Sequence, residues 1–270
     1  VDGARIWLTT PQGLNAKMQE AKAVNWDAIF FDEAHQLAAP TFKKAVETIR
    51  EYSPNAALIG LTATPGRTQT GEVDALTQIF NGKLLISPTL GKHPVEFLQR
   101  RGVLSRLDFR FLQVENLEFL SAEERLRLTV KRVTEVAKSG QKSLVFTSSL
   151  IESEAVALAL LASGVQAHHV EGAQKDDLRR AIIRDFAQGK CSVLANQKLL
   201  TTGYDCPAVS NVFLTSKVSS PILFEQMVGR AARGTRTGGS RRSTIWQFDD
   251  HLAIHGLPQS YYRYKDYEWS

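Results

Sequence analysis

The stretch Ala28-Ile29-Phe30-Phe31-Asp32-Glu33-Ala34-His35 decides the fold class of this chain. Its apolar half has no polar alternation, which is typical of a strand in a parallel sheet with both faces covered. Two adjacent carboxylates follow at the carboxyl end of that strand, where α/β sheets bind their ligands. One acid could hold Mg²⁺ on a nucleotide while its neighbour polarises a water. The alternative is an acidic turn without chemistry, and the motifs downstream decide between the two.

Composition limits the classes to which the protein can belong. The chain has 270 residues, of which 43% are hydrophobic, enough for a sizeable core and two domains. A net charge of +5 permits a nucleic-acid partner without requiring one. The only cysteines are Cys191 and Cys206, so a reducing compartment is expected, the cytoplasm first, with nucleoid or nucleus as alternatives. No apolar run reaches the roughly 18–20 residues that span a bilayer, so no membrane partner is predicted.

Short apolar runs alternate with amphipathic patterns along the chain, which predicts a parallel α/β fold. In the first part, strands are predicted over residues 6–9, 28–31 and 57–61, with a helix over 41–51. The second part is predicted to interleave helices over residues 121–140, 151–163, 175–188 and 221–233 with strands over residues 143–147, 166–170, 192–195, 212–215 and 244–248.

The irregular stretch between these two parts places the domain boundary near residues 111–121. The predicted domains are residues 1–115 and 116–250, followed by an aromatic and basic tail over residues 251–270. That tail holds four of the six tyrosines. Its rings can stack on bases or pack a terminal segment onto the second domain, and we favour packing.

The stretch Leu61-Thr62-Ala63-Thr64-Pro65 follows the third predicted strand. Small hydroxyl residues at a strand's carboxyl end can link the acidic pair to a neighbouring domain, and the proline fixes the exit of the chain. An ordinary loop entry is the alternative. The position of this motif, one helix and one strand after the acidic pair, favours a function.

The stretch Gln226-Met227-Val228-Gly229-Arg230-Ala231-Ala232-Arg233 is the second strong motif. On a helix, Gln226, Arg230 and Arg233 would share one face. Guanidinium groups suit a polyphosphate, because arginine offers a planar and permanently charged fork. The alternative is a solvated basic helix face.

Three further loops at predicted strand ends carry hydroxyls. Thr9-Thr10-Pro11-Gln12 follows the first strand, Phe146-Thr147-Ser148-Ser149 ends another, and Thr201-Thr202-Gly203-Tyr204-Asp205 lies after the strand at residues 192–195. Hydroxyls and amides of this kind can hold backbone phosphates of a nucleic acid. Each loop is uninformative alone, since loops at strand ends are usually polar.

The order of the motifs carries more information than any one of them. Thr-Pro-Gln, Asp-Glu-Ala-His, Thr-Ala-Thr-Pro, Phe-Thr-Ser, Thr-Gly-Tyr-Asp and Gln-x-x-Gly-Arg-x-x-Arg follow one another between residues 10 and 233. In this order the chain resembles the superfamily 2 DEAD/DEAH-box helicases. Within them it is most similar to the group of type III restriction-enzyme helicase subunits and excision-repair-type DNA helicases. The resemblance implies an α/β fold of two RecA-like parallel-sheet domains, the P-loop NTPase architecture of helicases.

The resemblance also implies an ATP-dependent DNA helicase or translocase that hydrolyses ATP in the cleft between its domains. Asp32 would coordinate Mg²⁺ on ATP, and Glu33 beside it would complete the metal site and orient or deprotonate the attacking water. His35, with Thr62 and Thr64, would couple the ATP state to the neighbouring domain and to nucleic acid.

The second domain supplies the remaining roles that the resemblance implies. Arg230 and Arg233 would act as arginine fingers on ATP, with Gln226 beside them. Gly203 and Asp205 would lie near the nucleotide. The phosphates of the bound strand would face the hydroxyls of Thr10, Thr147, Ser148 and Thr202.

One motif of the family is not found in the 270 residues. The phosphate-cradling loop Gly-x-x-x-x-Gly-Lys-Ser/Thr occurs neither before Asp32 nor after it. Fewer than about thirty-five residues precede the acidic box, too few for that loop's strand, its helix and the next strand. We therefore expect the first domain to be incomplete and the chain alone to be inactive. The phosphate-binding part would come from a missing amino-terminal segment or from a complementary polypeptide.

Two other functions remain open from the sequence. An RNA-dependent ATPase would use the same fold and motifs, with RNA in place of DNA. A non-catalytic nucleic-acid-binding module would show salt-dependent binding without hydrolysis.

Overall fold

The computed structural model describes residues 6–62, 70–85, 87–90, 94–112, 121–201, 204–216, 218 and 220–248. Contacts divide the chain into two units between residues 86 and 87. The predicted tail over residues 251–270 lies outside the described residues, as do Thr64, Thr202 and Gly203. Among the helices that are described, none has the length and apolar character that a membrane span requires.

The first unit contains a two-stranded parallel sheet with helices packed against it. Its elements in chain order are α1 Pro11–Ala16, α2 Met18–Lys22, β1 Ala28–Asp32, α3 Pro40–Tyr52, β2 Ala57–Leu61 and α4 Thr70–Ile79. Asp32 at the end of β1 is in register with Leu61 at the end of β2. Leu37, Val46 and Leu76 form a small buried core beside the sheet.

Three of the four elements predicted for this unit are confirmed as β1, α3 and β2. The strand predicted over residues 6–9 is wrong, because residues 6–10 have no regular structure and the chain enters α1 directly. Thr10 is the N-cap of α1, where its Oγ1 accepts a hydrogen bond from the backbone N–H of Gly13 at 3.0 Å. Pro11 then occupies the first turn, a position that proline favours.

Within the part of the chain that the structure describes, one face of the two-stranded sheet is exposed. The side chains of Phe30, Ile59 and Leu61 are 67%, 38% and 52% exposed. Phe31 and Leu58, which alternate with them, pack against the buried core. The sequence predicts cover on both faces of β1, and the structure provides it on one.

The second unit is built on a six-stranded parallel sheet with the strand order β3-β8-β7-β4-β6-β5. Its strands are β3 Arg106–Phe111, β4 Lys142–Phe146, β5 Ala167–His169, β6 Val193–Asn196, β7 Val209–Leu214 and β8 Arg242–Gln247. Helices α5 to α9 are Pro94–Arg100, Ala122–Lys138, Leu150–Ala162, Asp176–Ala187 and Pro221–Gly229. The predicted α/β alternation of this part is confirmed.

Both faces of the larger sheet are buried, as expected for parallel strands. Leu144 and Phe146 of β4 face one core, whereas Val145 between them faces the other. The start predicted for α6 is also correct, because Ser121 Oγ accepts a hydrogen bond from the Glu124 N–H at 3.1 Å. This sheet therefore positions the loops at its strand ends on a rigid support.

The observed division of the chain differs from the predicted boundary at residues 115 and 116. β3 lies before that boundary but pairs along its whole length with β8. The Arg242 guanidinium donates two hydrogen bonds to the Asp108 carboxylate, at 2.9 and 2.8 Å, and this lowers the pKa of Asp108. The sequence shows β3 only as a short mixed stretch, so its membership of the second sheet was not predictable from local pattern.

Candidate functional site

The acidic box turns sharply at the end of β1. Glu33 adopts the left-handed backbone conformation, with φ 53° and ψ 49°, and its N–H donates to Asp32 Oδ1 at 2.9 Å. Few residues with a Cβ adopt this conformation, and such strain concentrates at functional sites. Because of the turn, the Asp32 side chain stays exposed while the Glu33 carboxylate is directed back toward His35.

We expect the variant Glu33→Gly to be more stable to unfolding than Glu33→Ala by about 1 kcal/mol, since only alanine keeps the strained Cβ. Urea denaturation of both variants measures the difference. The same pair at Glu47, on the exposed face of α3, is the control. There the order should reverse, because glycine destabilises a helix by about 1 kcal/mol relative to alanine. Equal stabilities at position 33 would show that the turn is not strained.

His35 joins the ends of the two strands of the first unit. Its side chain is buried, and its Nδ1 lies 3.3 Å from Glu33 Oε2 and 3.2 Å from Thr62 Oγ1. Thr62 directly follows β2. The structure thus brings Glu33 and His35 together with Thr62, which lies 27 residues beyond His35 and which the motifs had grouped with them. These two contacts connect the Glu33 carboxylate to the residue that follows β2.

The carboxylates of the acidic box are the groups that could hold the predicted Mg²⁺. Within the described ranges, no group of three or more His, Cys, Asp or Glu side chains could cage a metal ion. Mg²⁺ bound to a nucleotide needs fewer protein ligands, because one or two carboxylates and the phosphate oxygens suffice. The exposed Asp32 carboxylate meets that requirement, with Glu33 next to it. The donor set therefore fits a Mg²⁺ ion that is carried by a bound nucleotide.

The arginine motif of the second unit is arranged differently from the prediction. Gln226, Arg230 and Arg233 do not share one helix face, because α9 ends at Gly229 and Arg230 is its C-cap. Beyond the helix the chain makes a turn over residues 230–231 and then pairs with residues 103–105. Ser105 N–H donates to Ala232 O at 2.9 Å, and Leu104 forms an antiparallel bridge with Arg233.

Close packing explains why the helix cannot continue through this segment. A Cβ at Gly234 would lie 2.3 Å from the Gly102 carbonyl oxygen, so only glycine fits. Backbone pairing across that contact includes the Gly234 N–H, which donates to Val103 O at 2.9 Å. This tertiary contact overrides the local helical pattern.

Both arginines are nevertheless held close to the predicted loop at Asp205. Arg233 Nε donates to Asp205 Oδ1 at 2.9 Å, with the two side chains 37% and 63% exposed. Arg230 donates through Nη1 to the Tyr204 carbonyl oxygen and through Nε to Gln226 O at 3.2 Å. The ion pair and the backbone contacts fix the orientation of both guanidinium groups, while Arg233 remains accessible to a ligand.

The predicted strand-end hydroxyls have different surroundings. Thr10 uses its hydroxyl oxygen to cap α1. Thr147 is buried, and its hydroxyl lies 2.9 Å from Ser149 O and 3.3 Å from Asn196 O, both of which it can donate to. Ser148 is exposed, but its N–H donates to Glu152 Oε2 at 2.9 Å. Of these three residues, Ser148 alone combines exposure with a position on a loop after a central strand.

Sequence reasoning missed two residues around these loops. Asn196 is fully buried at the end of β6, where Nδ2 donates to Val145 O at 3.3 Å and Oδ1 accepts from the Leu200 N–H at 3.2 Å. Glu152 contacts both Ser148 and Thr215. The spacing Ser149-x-x-Glu152 is a capping-box signature and could have indicated Glu152.

Comparisons with known protein families agree with this geometry. Residues 125–235 match the helicase conserved C-terminal domain, and residues 2–67 match the res subunit of type III restriction enzymes. A 51.5 kDa protein of a Lactococcus phage is 28% identical over 88% of this chain and 52% of its own length. A putative mitochondrial ATP-dependent helicase, irc3 of Schizosaccharomyces pombe, is 28% identical over 88% of this chain and 40% of its own length. The chain thus spans about half or less of these relatives.

Solved structures give the same fold. A fragment of a putative HsdR subunit of a type I restriction enzyme from Vibrio vulnificus aligns with a TM-score of 0.65 and 22% identity, over 92% of this chain and 50% of that one. Dbp5 of S. cerevisiae, bound to RNA and ADP BeF3, aligns with a TM-score of 0.65 and 16% identity, over 99% of this chain and 66% of that one.

The two sheets are therefore RecA-like parallel-sheet units of the helicase class. Together, the two family models and the helicase relatives make the chain similar to the superfamily 2 helicases, in the group related to type III restriction-enzyme res subunits.

Proposed function

We propose that this chain carries part of a nucleic-acid-stimulated ATPase that acts on DNA as a helicase or translocase. One observation carries the proposal: the Glu33 carboxylate is linked through His35 to Thr62. A carboxylate that positions a water and is linked to a neighbouring strand can report hydrolysis to the rest of the domain. A structural acidic turn would not need that link.

In this function the first unit supplies the acidic box and the second supplies the arginines. Asp32 would hold the Mg²⁺ of ATP, and the bound ion would neutralise charge on the phosphate oxygens. Glu33 would orient the attacking water and accept its proton. Arg233, kept in place by Asp205, would stabilise the charge on the transferring phosphoryl group. Arg230 would contribute a second cation from its position at the end of α9.

The match to the res subunit family supports DNA as the substrate. An RNA-dependent ATPase is the second candidate, since the neighbour Dbp5 is bound to RNA. Comparing the stimulation of ATP hydrolysis by duplex DNA, single-stranded DNA and RNA of equal length separates the two. Stimulation by RNA alone would overturn the DNA assignment.

We expect the 270-residue chain by itself to show no ATP turnover above buffer, with or without nucleic acid. The reason is chemical: these residues contain no Gly-x-x-x-x-Gly-Lys-Ser/Thr loop, so the β- and γ-phosphates lack their main backbone and lysine contacts. Release of inorganic phosphate from ATP is the measurement. Nucleic-acid-stimulated release that the variant Glu33→Gln removes would contradict the prediction and would exclude a contaminating ATPase as its source.

A further inference from the structure

Glu152, in the first turn of α7, connects two strand ends of the second unit. Its Oε2 accepts hydrogen bonds from both the N–H and the hydroxyl of Ser148, the former at 2.9 Å. Its Oε1 accepts from the hydroxyl of Thr215, at 2.5 Å. Ser148 follows β4, and Thr215 follows the neighbouring strand β7.

Helix capping does not account for this arrangement. Ser149 is the N-cap of α7, and its Oγ accepts from the Glu152 N–H at 3.1 Å. In a capping box the glutamate would return to the N–H of the cap residue itself. Here the carboxylate contacts the residue before the cap, and it also reaches across the sheet to Thr215, which lies outside the helix.

Thr215 anchors the carboxylate in this position. Its side chain is almost fully buried, and its hydroxyl lies closer to Glu152 Oε1, at 2.5 Å, than to the Phe146 carbonyl oxygen, at 3.2 Å. A buried hydroxyl retains a hydrogen bond to a charged acceptor strongly, because such bonds are among the strongest in proteins. The opposite end of the carboxylate is turned toward Ser148, which is exposed.

The donors held by Glu152 are those that a nucleic-acid phosphate would use. Phosphate oxygens are commonly bound by backbone N–H groups and serine hydroxyls. A carboxylate oxygen and a phosphate oxygen are both anionic acceptors, so they compete for the same donors. The carboxylate and the phosphate cannot both contact the Ser148 donors, because two like charges in contact repel each other strongly.

We propose that Glu152 sets the affinity of the β4 loop for nucleic acid by occupying both donors of Ser148. The proposal rests on the proposed function, since it assumes that this loop meets a backbone phosphate. In the absence of nucleic acid the carboxylate satisfies Ser148. Binding of the nucleic-acid strand requires Glu152 to release Ser148. The hydrogen bond from Thr215 favours the arrangement in which Glu152 keeps Ser148.

The test measures binding of a fluorescein-labelled single-stranded DNA oligonucleotide to the 270-residue chain. Fluorescence anisotropy gives the affinity at each of a series of salt concentrations. The variant Glu152→Gln should bind about tenfold more tightly, because a neutral amide competes less for the donors and repels no phosphate. Ser148→Ala in the Glu152→Gln background should remove part of that gain, because the hydroxyl is lost while the backbone N–H remains. Thr215→Val, which removes the anchor and keeps the charge, should tighten binding by a smaller factor.

The matched control is Glu154→Gln, an exposed acid two residues further along α7. It loses the same charge without touching Ser148, and its affinity should change by less than about twofold. Circular dichroism and thermal unfolding establish that each variant is folded. If Glu152→Gln does not fold, Thr215→Val carries the test, and wild-type affinity in that variant would overturn the proposal.

The outcomes separate this proposal from the proposed function. Binding by Glu152→Gln that equals or falls below that of Glu154→Gln would overturn the role of Glu152 alone. Weaker binding by Glu152→Gln than by the wild type would mean that the carboxylate stabilises the loop instead of competing with phosphate for its donors. An absence of salt-dependent binding by the wild type and by every variant would overturn the proposed function as well.

Discussion

Replacing Arg233 by alanine is expected to lower the turnover of ATP by about 10³–10⁵-fold in any form of the protein that hydrolyses ATP. Nucleotide binding should be nearly unchanged. An arginine finger acts on charge that develops during phosphoryl transfer, so its removal affects the transition state more than the bound ground state. The structure supports the prediction because Arg233 is held by Asp205 yet remains 37% exposed.

The measurements are kcat for ATP hydrolysis under saturating nucleic acid and the dissociation constant of a non-hydrolysable ATP analogue. Arg180→Ala, at an exposed position of α8, is the matched control and should leave both unchanged. Equal losses in turnover and in nucleotide affinity would argue against a finger role. They would make Arg233 an ordinary contact to the bound nucleotide.

The second large effect is expected at Glu33. Glu33→Gln should lower kcat by about 10²–10⁴-fold, the usual contribution of a positioned general base. The amide keeps the size of the side chain and can still approach His35 Nδ1, which lies 3.3 Å from Glu33 Oε2 in the wild type. Folding should therefore survive, and the loss should come from the missing proton acceptor.

Single-turnover hydrolysis with prebound ATP isolates this step from binding and product release. Asp27→Asn, at an exposed acid just before β1, removes one negative charge at the opposite end of that strand and should have no effect. Wild-type turnover by Glu33→Gln would show that another group activates the water. The assignment of the acidic box as a catalytic centre would then be wrong.

Local pattern predicted most of the fold because parallel strands and amphipathic helices leave clear periodicities. The apolar run before Asp32 and the cap at Ser121 both gave elements that the structure confirms. The pattern failed where distant residues decide the conformation. Arg230 and Arg233 follow a helical sequence, yet pairing with residues 103–105 ends α9 at Gly229. That partner lies more than a hundred residues away, and no local propensity reports it.

The candidate site shows the same limit. Motif order grouped Glu33, His35 and Thr62, and the structure places them in contact. The left-handed turn at Glu33 was not predictable, because nothing in the residue type favours that conformation. The contact between Glu152 and Thr215 was not predictable either, since it depends on which strands are neighbours in the sheet.

The exposed face of the two-stranded sheet has a consequence for handling the purified chain. Phe30 and Leu61 are more than half exposed, at 67% and 52%, and Ile59 lies beside them on the same side. Large apolar side chains grouped in this way form a surface through which copies of the chain associate. We therefore expect the 270-residue chain to self-associate through this face during concentration, and to do so more strongly in sulfate, which strengthens apolar association.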